Sequence, residues 1–280
     1  MAQLKPIVVI KIGGSTANSP AALSSIASDL ASLQSKYSFV IAHGGSAQTN
    51  ELCKRLGIQP KFHTSPTGVK SRATDAQIIQ LYAMACGGQA NSSIVCALQS
   101  GGVNAVGLSG FDGKVVTAKQ KIFTAVDESG KQKIVRDDYT GKIEKINSEL
   151  LQTLLSAGYT PVVAALAIGE NSQPLNIDGD RLMAALAAAL HADKAISLTD
   201  VDGYYKNFPN DLVPRLTASE LQAAMENAGA GQSSGGMKKK LMGCIEAING
   251  GVQEVIICNG TAASPISAAL RGAGTHITKS

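Results

Sequence analysis

Two glycine loops that follow apolar segments are the residues best suited to chemistry in this sequence. Residues 7–12 are apolar apart from one lysine and lead into Gly-Gly-Ser at 13–15, and residues 39–42 lead into His-Gly-Gly-Ser at 43–46. An amphipathic segment over 49–56 follows the second loop. Glycine lets the backbone turn and approach a ligand closely, and the free N–H groups of a loop and of a helix N-terminus favour anions. The two loops therefore predict a site that holds both ends of a transferring phosphoryl group.

Two lysines and a pair of aspartates are candidates for the charged roles at such a site. Lys11 ends a buried strand between two isoleucines, which favours a charge that is held in place over a random surface position. Lys240 lies near the start of a predicted helix. Asp178 and Asp180 stand two residues apart at the start of an apolar helix, which they could simply cap. The alternative, to which we give equal weight, is that the two aspartates belong to a polar cluster at the junction of two lobes.

Other kinds of catalytic site are not indicated. No Ser-His-Asp or Cys-His constellation stands out, and the phosphate-binding pattern G-x-x-x-x-G-K-S/T is absent. His43 lies inside the second glycine loop, and we expect its ring to pack and hydrogen-bond there instead of acting as a general base. The five cysteines contain no C-x-x-C pair, so we expect buried, reduced thiols and neither disulfides nor a zinc site: Cys53, Cys86, Cys96, Cys244 and Cys258.

The elements that must position these residues alternate between strands and helices, which predicts a parallel sheet. A polar, turn-rich stretch at 169–174 marks the predicted boundary between two lobes, and residues 114–135 alternate around 127–130 like an antiparallel hairpin. A glycine- and serine-rich stretch at 229–236 runs into a basic helix start, which predicts a phosphate-binding lid. Predicted helices span 20–33, 49–56, 75–99, 147–157, 179–190, 217–227 and 238–248; predicted strands span 7–12, 39–42, 104–108, 159–164, 194–198 and 255–258, with 275–277 as a closing edge strand.

Length and composition indicate a globular protein. The chain has 280 residues, of which 44% are hydrophobic, enough for one large domain or two modest ones. No apolar run approaches the roughly 20 residues of a membrane-spanning helix. Residues 1–15 lack the pattern of a signal peptide. We expect a cytosolic protein.

The net charge of +4 is unevenly distributed, because basic residues concentrate between 114 and 145. One interpretation is a solvated hairpin, since runs of charge usually face water. The other is a docking face for an acidic macromolecule. Nucleic acid is disfavoured, because aromatic residues make up only 4% of the chain and none interleave with the basic ones.

Five motifs in this order and spacing resemble the amino acid kinase family, and the resemblance covers essentially the whole chain. Within that family the sequence is most similar to acetylglutamate kinases and to their relatives that phosphorylate aminoadipate or glutamate carried on the small protein LysW. The motifs are 11–15 (Lys-Ile-Gly-Gly-Ser), 43–46 (His-Gly-Gly-Ser), 176–180 (Asn-Ile-Asp-Gly-Asp), 199–203 (Thr-Asp-Val-Asp-Gly) and 235–240 (Gly-Gly-Met-Lys-Lys-Lys).

The resemblance implies a three-layer αβα sandwich with a mainly parallel central sheet and two lobes. Residues 1–173, including the hairpin 114–135, would form an N-terminal lobe that binds the acid substrate and dimerises, and residues 174–280 would form a C-terminal lobe that binds ATP. Mg²⁺ would arrive with ATP and take no ligand from the protein. ATP would phosphorylate a side-chain carboxylate, which needs no general base because its reference pKa is about 4.3.

The resemblance also implies roles for individual residues. Lys11 and Lys240 would stabilise the transferring group from two sides, and Asp180 would hold both lysines in place. The acid substrate would contact Gly44, Gly45, Ser46, Arg72 and Asn176. The nucleotide would contact Gly13, Gly14, Thr199, Asp200, Gly203, Gly236 and Met237.

The segment before the long helix bears on which acid is phosphorylated. Residues 68–75 resemble the G-x-x-S-R-x-T-D of the LysW-dependent branch, and residues 43–50 are also similar to that branch. We expect a kinase of carrier-linked aminoadipate, glutamate or both, in lysine or arginine biosynthesis, with Ala73 leaving the acid's chain length open. A kinase of free N-acetylglutamate is the alternative, and a silent amino-acid sensor is disfavoured because Lys11, Asp180 and Lys240 are all present. An acidic carrier would meet a cationic rim formed by Lys70, Lys119, Lys121, Lys131, Lys133 and Arg136.

Overall fold

A computed structural model describes residues 5–66, 70–126, 131–227 and 235–279. The predicted turn at 127–130 and most of the predicted lid at 229–236 lie outside this range. The strands are β1 Ile7–Ile12, β2 Ser38–His43, β3 Phe62–Thr64, β4 Lys70–Arg72, β5 Ala105–Leu108, β6 Val116–Gln120, β7 Phe123–Val126, β8 Gln132–Val135, β9 Gly141–Ile146, β10 Thr160–Ala164, β11 Leu166–Ile168, β12 Pro174–Asn176, β13 Lys194–Thr199, β14 Arg215–Thr217, β15 Glu254–Asn259 and β16 Thr275–Thr278. The α-helices are α1 Gly14–Ala17, α2 Pro20–Leu33, α3 Ser46–Arg55, α4 Ala76–Ala83, α5 Asn91–Ser100, α6 Ser148–Ser156, α7 Gly179–Ala189, α8 Ala218–Asn227, α9 Gly235–Asn249 and α10 Pro265–Leu270.

The central sheet has eight strands in the order β14-β16-β15-β13-β1-β2-β10-β5. The six strands from β15 to β5 run parallel, as the alternation of strands and helices predicted, while β16 runs antiparallel to β15. The prediction of an edge strand at 275–277 was wrong, because β14 covers β16. The sequence pattern does not reveal β14, since its three residues include only one buried hydrophobe, Leu216.

Helices cover both faces of this sheet and bury two separate apolar clusters, which confirms the predicted three-layer αβα class. Along β1 the side chains alternate between the faces. Ile7 and Val9 join the cluster that includes residues of α7 and α9, whereas Val8 and Ile10 join the cluster that includes residues of α2, α5 and α10. The same alternation places Lys11 on the face of α7 and α9.

Two four-stranded sheets cover the end of the molecule near the predicted acid site. Their orders are β12-β11-β6-β9 and β4-β3-β7-β8. The hairpin predicted over 114–135 was right for β7 and β8, which pair antiparallel, but wrong for its first part, because β6 pairs with β9 instead. Alternation of residue types reports a half-exposed strand and carries no information about its partner.

The long helix predicted over 75–99 is present with one irregularity. Residues Met84–Ala90 form a π-helix between α4 and α5, at the position of Gly87-Gly88. Asp75 begins α4 by accepting hydrogen bonds from two backbone N–H groups. The described part of the chain contains no helix with both the length and the apolar character of a membrane span.

The cysteines are unpaired, as expected, but not all of them are buried. Cys96 is exposed on α5, which corrects the prediction for that residue. The buried ones are Cys53, Cys86, Cys244 and Cys258.

Candidate active site

Lys11, Asp180 and Lys240 meet at one point between β1, α7 and α9. Lys11 Nζ lies 3.0 Å from Asp180 Oδ1, and Lys240 Nζ lies 3.5 Å from the same oxygen. All three side chains are at most 12% exposed. One carboxylate thus stands between two ammonium groups, in an environment where water screens them little.

The charges of this cluster depend on one another. Burial opposes charge on Lys11, but the carboxylate of Asp180 outweighs it and the pKa of Lys11 is raised. Burial likewise opposes charge on Asp180, yet Lys11 and Lys240 hold the pKa of this carboxyl below its usual range. The pKa of Lys240 is lowered, because burial and the neighbouring ammonium of Lys11 together outweigh Asp180. A bound anion would favour the charged form of Lys240.

Ser197 is a further member of the cluster that the sequence analysis missed. Lys240 Nζ donates to Ser197 Oγ over 3.1 Å. Ser197 lies on β13 and is fully buried. The signal available in the sequence was a hydroxyl between the apolar residues 195–196 and 198 of the strand.

The two aspartates at the start of α7 divide the two roles that the sequence left open. Asp178 caps the helix, because its Oδ1 accepts from the N–H groups of Asp180 and Arg181 over 3.0 and 3.1 Å. Asp180 instead turns to the lysines. Gly179 lies between them, and a Cβ on Gly179 would lie 3.6 Å from Gly44 N and 3.8 Å from Lys11 Cε. The N-terminus of α7 therefore meets the second glycine loop beside Lys11.

A cavity of about 410 Å³ opens next to this cluster. Of the five residues predicted to bind the acid, every one except Gly45 lines this cavity. Gly45 is buried against Cys86, and a Cβ on Gly45 would lie 2.5 Å from Cys86 Cβ. The lining includes Gly44, Ser46, Arg72, Tyr82, Lys121, Phe123, Thr140, Asn176, Asp178 and Gly179.

Arg72 presents unused hydrogen-bonding capacity at this cavity. Its Nη2 donates to Asn50 Oδ1 over 2.5 Å and to the Ser46 carbonyl over 3.4 Å. Its Nη1 is buried and makes no hydrogen bond within the described residues. Burial lowers the pKa of Arg72. A buried guanidinium nitrogen without a partner is suited to a carboxylate ligand.

His43 has a structural role, in line with the sequence analysis. The ring is fully buried: Nδ1 lies 2.8 Å from the Gly44 carbonyl, and Nε2 lies 2.9 Å from Asn91 Nδ2. These partners require the tautomer in which Nδ1–H donates and Nε2 accepts. Burial lowers the pKa of His43 to about 4. Both ring nitrogens are therefore used in hydrogen bonds within the protein.

The residues predicted to bind nucleotide lie in several loops and helix ends. Gly13 N donates to the Leu198 carbonyl over 3.0 Å, so the ends of β1 and β13 meet beside Thr199. Gly14 and Asp200 are exposed, and Gly236 and Met237 lie in the first turn of α9. Gly203 is packed against Thr275, where a Cβ would lie 2.4 Å from the threonine hydroxyl. Packing alone therefore accounts for glycine at 203.

The proposed cationic rim divides into two parts. Lys121 lines the cavity. Burial is the largest influence on Lys121, and its pKa is lowered. Lys119, Lys131, Lys133 and Arg136 are exposed on or next to β6 and β8. The side chain of Lys70 lies outside the described residues.

No group of three or more His, Cys, Asp or Glu side chains that could hold a metal ion occurs within residues 5–66, 70–126, 131–227 and 235–279. Asp180 is engaged by two ammonium groups, and Asp178 accepts two backbone hydrogen bonds at the start of α7.

Two buried ammonium groups beside helix N-termini are suited to neutralising a transferring phosphoryl group. On a mainly parallel αβα fold, with a cavity beside them, they are typical of a kinase. The chain belongs to the amino acid kinase family, whose profile matches residues 6–259.

The sequence is similar to that of other proteins over nearly its whole length. A protein of Deinococcus radiodurans named LysW-aminoadipate kinase is 40% identical, over 97% of this chain and 91% of the relative. A protein of the same name from Thermus thermophilus is 37% identical, over 97% of this chain and 100% of the relative. N-acetylglutamate synthase from Neisseria gonorrhoeae, solved with coenzyme A and N-acetyl-glutamate, superposes on 98% of this chain with a TM-score of 0.77 and 26% identity. This chain spans 60% of that structure's length.

Proposed function

We propose that this protein transfers the γ-phosphoryl group of ATP to the side-chain carboxylate of aminoadipate or glutamate carried on a LysW-type acidic protein. The observation that carries the proposal is the 40% and 37% identity, over nearly the full chain, to proteins named LysW-aminoadipate kinase. The product is an acyl phosphate for lysine or arginine biosynthesis.

The transfer joins a carboxylate oxygen to the γ-phosphorus and breaks the bond from that phosphorus to the bridging oxygen of the β-phosphate, so that ADP leaves with the electron pair. The carboxylate is ionised at neutral pH, so no proton is removed. Lys11 and Lys240 neutralise the negative charge that passes between acid and nucleotide. Asp180 keeps the two ammonium groups apart and in place. Their shared contact with Asp180 Oδ1 supports these roles.

The acid occupies the 410 Å³ cavity in this proposal. Arg72 Nη1 binds the carboxylate that is not phosphorylated, and the amide of Asn176 contacts neighbouring polar groups. The unpartnered, buried Nη1 supports this assignment. Ser46 and the amide of Gly44 bind at the phosphoryl end, at the N-terminus of α3.

The nucleotide lies on the side of β13 and α9, within the C-terminal lobe 174–280. The exposed positions of Gly14, Asp200 and Gly236 support this placement. In this proposal Mg²⁺ is carried on the phosphates of the nucleotide, and Oδ1 of both Asp178 and Asp180 is engaged within the protein. The lobe boundary near 174 and a homodimer through residues 1–173 stay predictions, which limited proteolysis and sedimentation would test.

A carrier protein must bring its acid to the mouth of the cavity while its own acidic surface faces the enzyme. Lys121 at the cavity and the exposed Lys133 and Arg136 beyond it support an electrostatic docking face. Such steering weakens as salt screens the charges.

Steady-state assays with ATP and either LysW-linked aminoadipate or free N-acetylglutamate test the proposal. We expect turnover of the carrier-linked acid and little of the free one. Efficient use of N-acetylglutamate, with no response to carrier-linked acid, would overturn it.

Carrier binding at low and high salt tests the docking face separately. Binding should weaken with salt, and Lys133→Glu should weaken it further at low salt. Lys36→Glu is the matched control, because Lys36 is also exposed but lies before β2, at the opposite end of the parallel strands. Equal effects of the two reversals would argue against docking at β8.

A further inference from the structure

Asp138 is a buried carboxylate that lies behind the acid cavity and does not line it. Asp138 is 2% exposed. Oδ2 accepts from Thr74 N over 2.8 Å and lies 3.3 Å from His63 Nε2. Oδ1 accepts from Thr140 N over 2.9 Å and from the Thr140 hydroxyl. Both oxygens of this carboxylate are therefore used to hold two separate segments of backbone.

These two segments reach the cavity directly. Asn176 Nδ2 donates to Thr74 Oγ1 over 3.1 Å, and Thr74 follows Arg72 by two residues. Tyr139 N donates to the Thr74 carbonyl over 2.7 Å, and the Tyr139 carbonyl accepts from Asn176 N over 2.8 Å. Asn176, Arg72 and Thr140 all line the cavity.

The network also determines which way the Asn176 amide faces. Thr74 Oγ1 donates its single proton to the Arg72 carbonyl over 3.2 Å, so it can only accept from Asn176. Asn176 must therefore turn Nδ2 toward Thr74. Asp138 in turn fixes Thr74 through its backbone N–H. A change at Asp138 is transmitted to Asn176 by two successive hydrogen bonds.

We propose that Asp138 is a positioning residue for the acid substrate: it fixes Thr74 and Thr140, and through them the orientation of Asn176 and the placement of Arg72. This inference rests on the proposed function, because it takes Arg72 and Asn176 as acid-binding groups. Asp138 touches neither substrate. Its loss should therefore weaken acid binding without a matching effect on the nucleotide.

The test compares Asp138→Asn with a control that loses an equivalent buried carboxylate elsewhere. Asp29 is 4% exposed and accepts from Ile266 N and Ser267 N, each over 2.8 Å, and from the Ser267 hydroxyl. It joins α2 to α10 on the face of the sheet opposite Lys11. Asp29→Asn therefore weakens an equivalent set of buried hydrogen bonds without touching the residues that line the cavity.

In Asp138→Asn we expect the KM for the carrier-linked acid to rise roughly ten- to a hundredfold, with the KM for ATP within about twofold. Thr74→Val should reproduce the rise, because it removes the acceptor for Asn176, whereas Thr74→Ser should restore near-normal KM. Asp29→Asn should change neither KM. Equal changes in both KM values, or a normal KM for the acid in Asp138→Asn, would overturn the proposal.

Amide hydrogen exchange provides a readout that does not depend on turnover. Exchange over residues 72–76 and 138–141 should accelerate in Asp138→Asn but not in Asp29→Asn, and unchanged exchange would overturn the proposal. If the wild type turned over neither acid, the proposed function would fail, and the exchange measurement would still decide whether Asp138 holds these segments.

Discussion

Lys11 Nζ lies 3.0 Å from Asp180 Oδ1, so the end of the central strand is joined to the first turn of α7 at a buried point. Lys240 approaches the same oxygen from α9. Two ammonium groups share one carboxylate oxygen as their contact, so Asp180 by itself neutralises only part of their charge. A phosphoryl group in transfer would supply the missing negative charge.

Replacing Lys240 should affect catalysis far more than folding. We expect Lys240→Met to lower kcat at least about a hundredfold, because one of the two groups proposed to stabilise the transferring charge is lost. The Lys11–Asp180 pair stays intact, so the melting temperature should change little. Lys194→Met is the control: Lys194 pairs with Glu254 at the opposite end of β13, and its loss should leave kcat near normal. Matching losses of activity and stability in Lys240→Met would indicate a structural lysine.

Replacing Asp180 should affect both folding and activity. Asp180→Asn leaves two buried ammonium groups without a carboxylate, and the loss of one partner from a buried ion pair costs about 3–5 kcal/mol. Adding Lys240→Met removes one of the uncompensated charges, so the double variant should regain part of the stability and none of the activity. Urea unfolding at pH 7 measures this. A double variant less stable than Asp180→Asn would contradict the charge-balance argument.

The two glycines of the second loop should respond differently to alanine. A Cβ on Gly45 would lie 2.5 Å from Cys86 Cβ, so Gly45→Ala should destabilise the fold by about 1–3 kcal/mol. A Cβ on Gly44 would meet nothing within 4 Å. It would enter the cavity instead, and Gly44→Ala should lower kcat/KM at least about tenfold with little loss of stability. Thermal unfolding and steady-state kinetics of the two variants distinguish a glycine required for packing from one required for access of substrate to the cavity.

His43 should make the protein less stable in acid. Its pKa is about 4 in the folded protein, because burial opposes the charge, against about 6.5 when unfolded. Between these values the unfolded chain binds more protons, so stability is lost as pH falls from 6.5 to 4. The linked loss is about 3 kcal/mol. Urea unfolding across this window should show a shallower pH dependence for His43→Gln, and equal slopes would exclude the histidine as the cause.

Most of the scaffold could be predicted because its signals are local. The apolar run of β1, the amphipathic α2 and the glycine loops each report their own burial or turn geometry. The predicted helix at 20–33 agrees with α2 residue for residue. Lys11 could be singled out for the same reason, since a lysine between two isoleucines is unusual within a buried strand.

Partnerships across the chain could not be predicted in this way. Asp178 and Asp180 look equivalent in sequence, and only the packing of α7 against β1 and α9 makes one a cap and the other the partner of two lysines. The pairing of β6 with β9 instead of β7 was equally hidden from the sequence. So were the contacts of Ser197 with Lys240 and of Asp138 with Thr74.

The sequence by itself thus determined the alternation of strands and helices that gives a parallel sheet, the two glycine loops and the candidate lysines, because hydrophobic periodicity and turn chemistry act over a few residues. The three-layer αβα class was implied by the family resemblance. Only the tertiary structure decided which carboxylate faces the lysines, which strands pair and what supports the acid cavity. Those outcomes depend on side chains from distant segments competing for the same buried hydrogen bonds and charges, and that competition is resolved only when the layers pack.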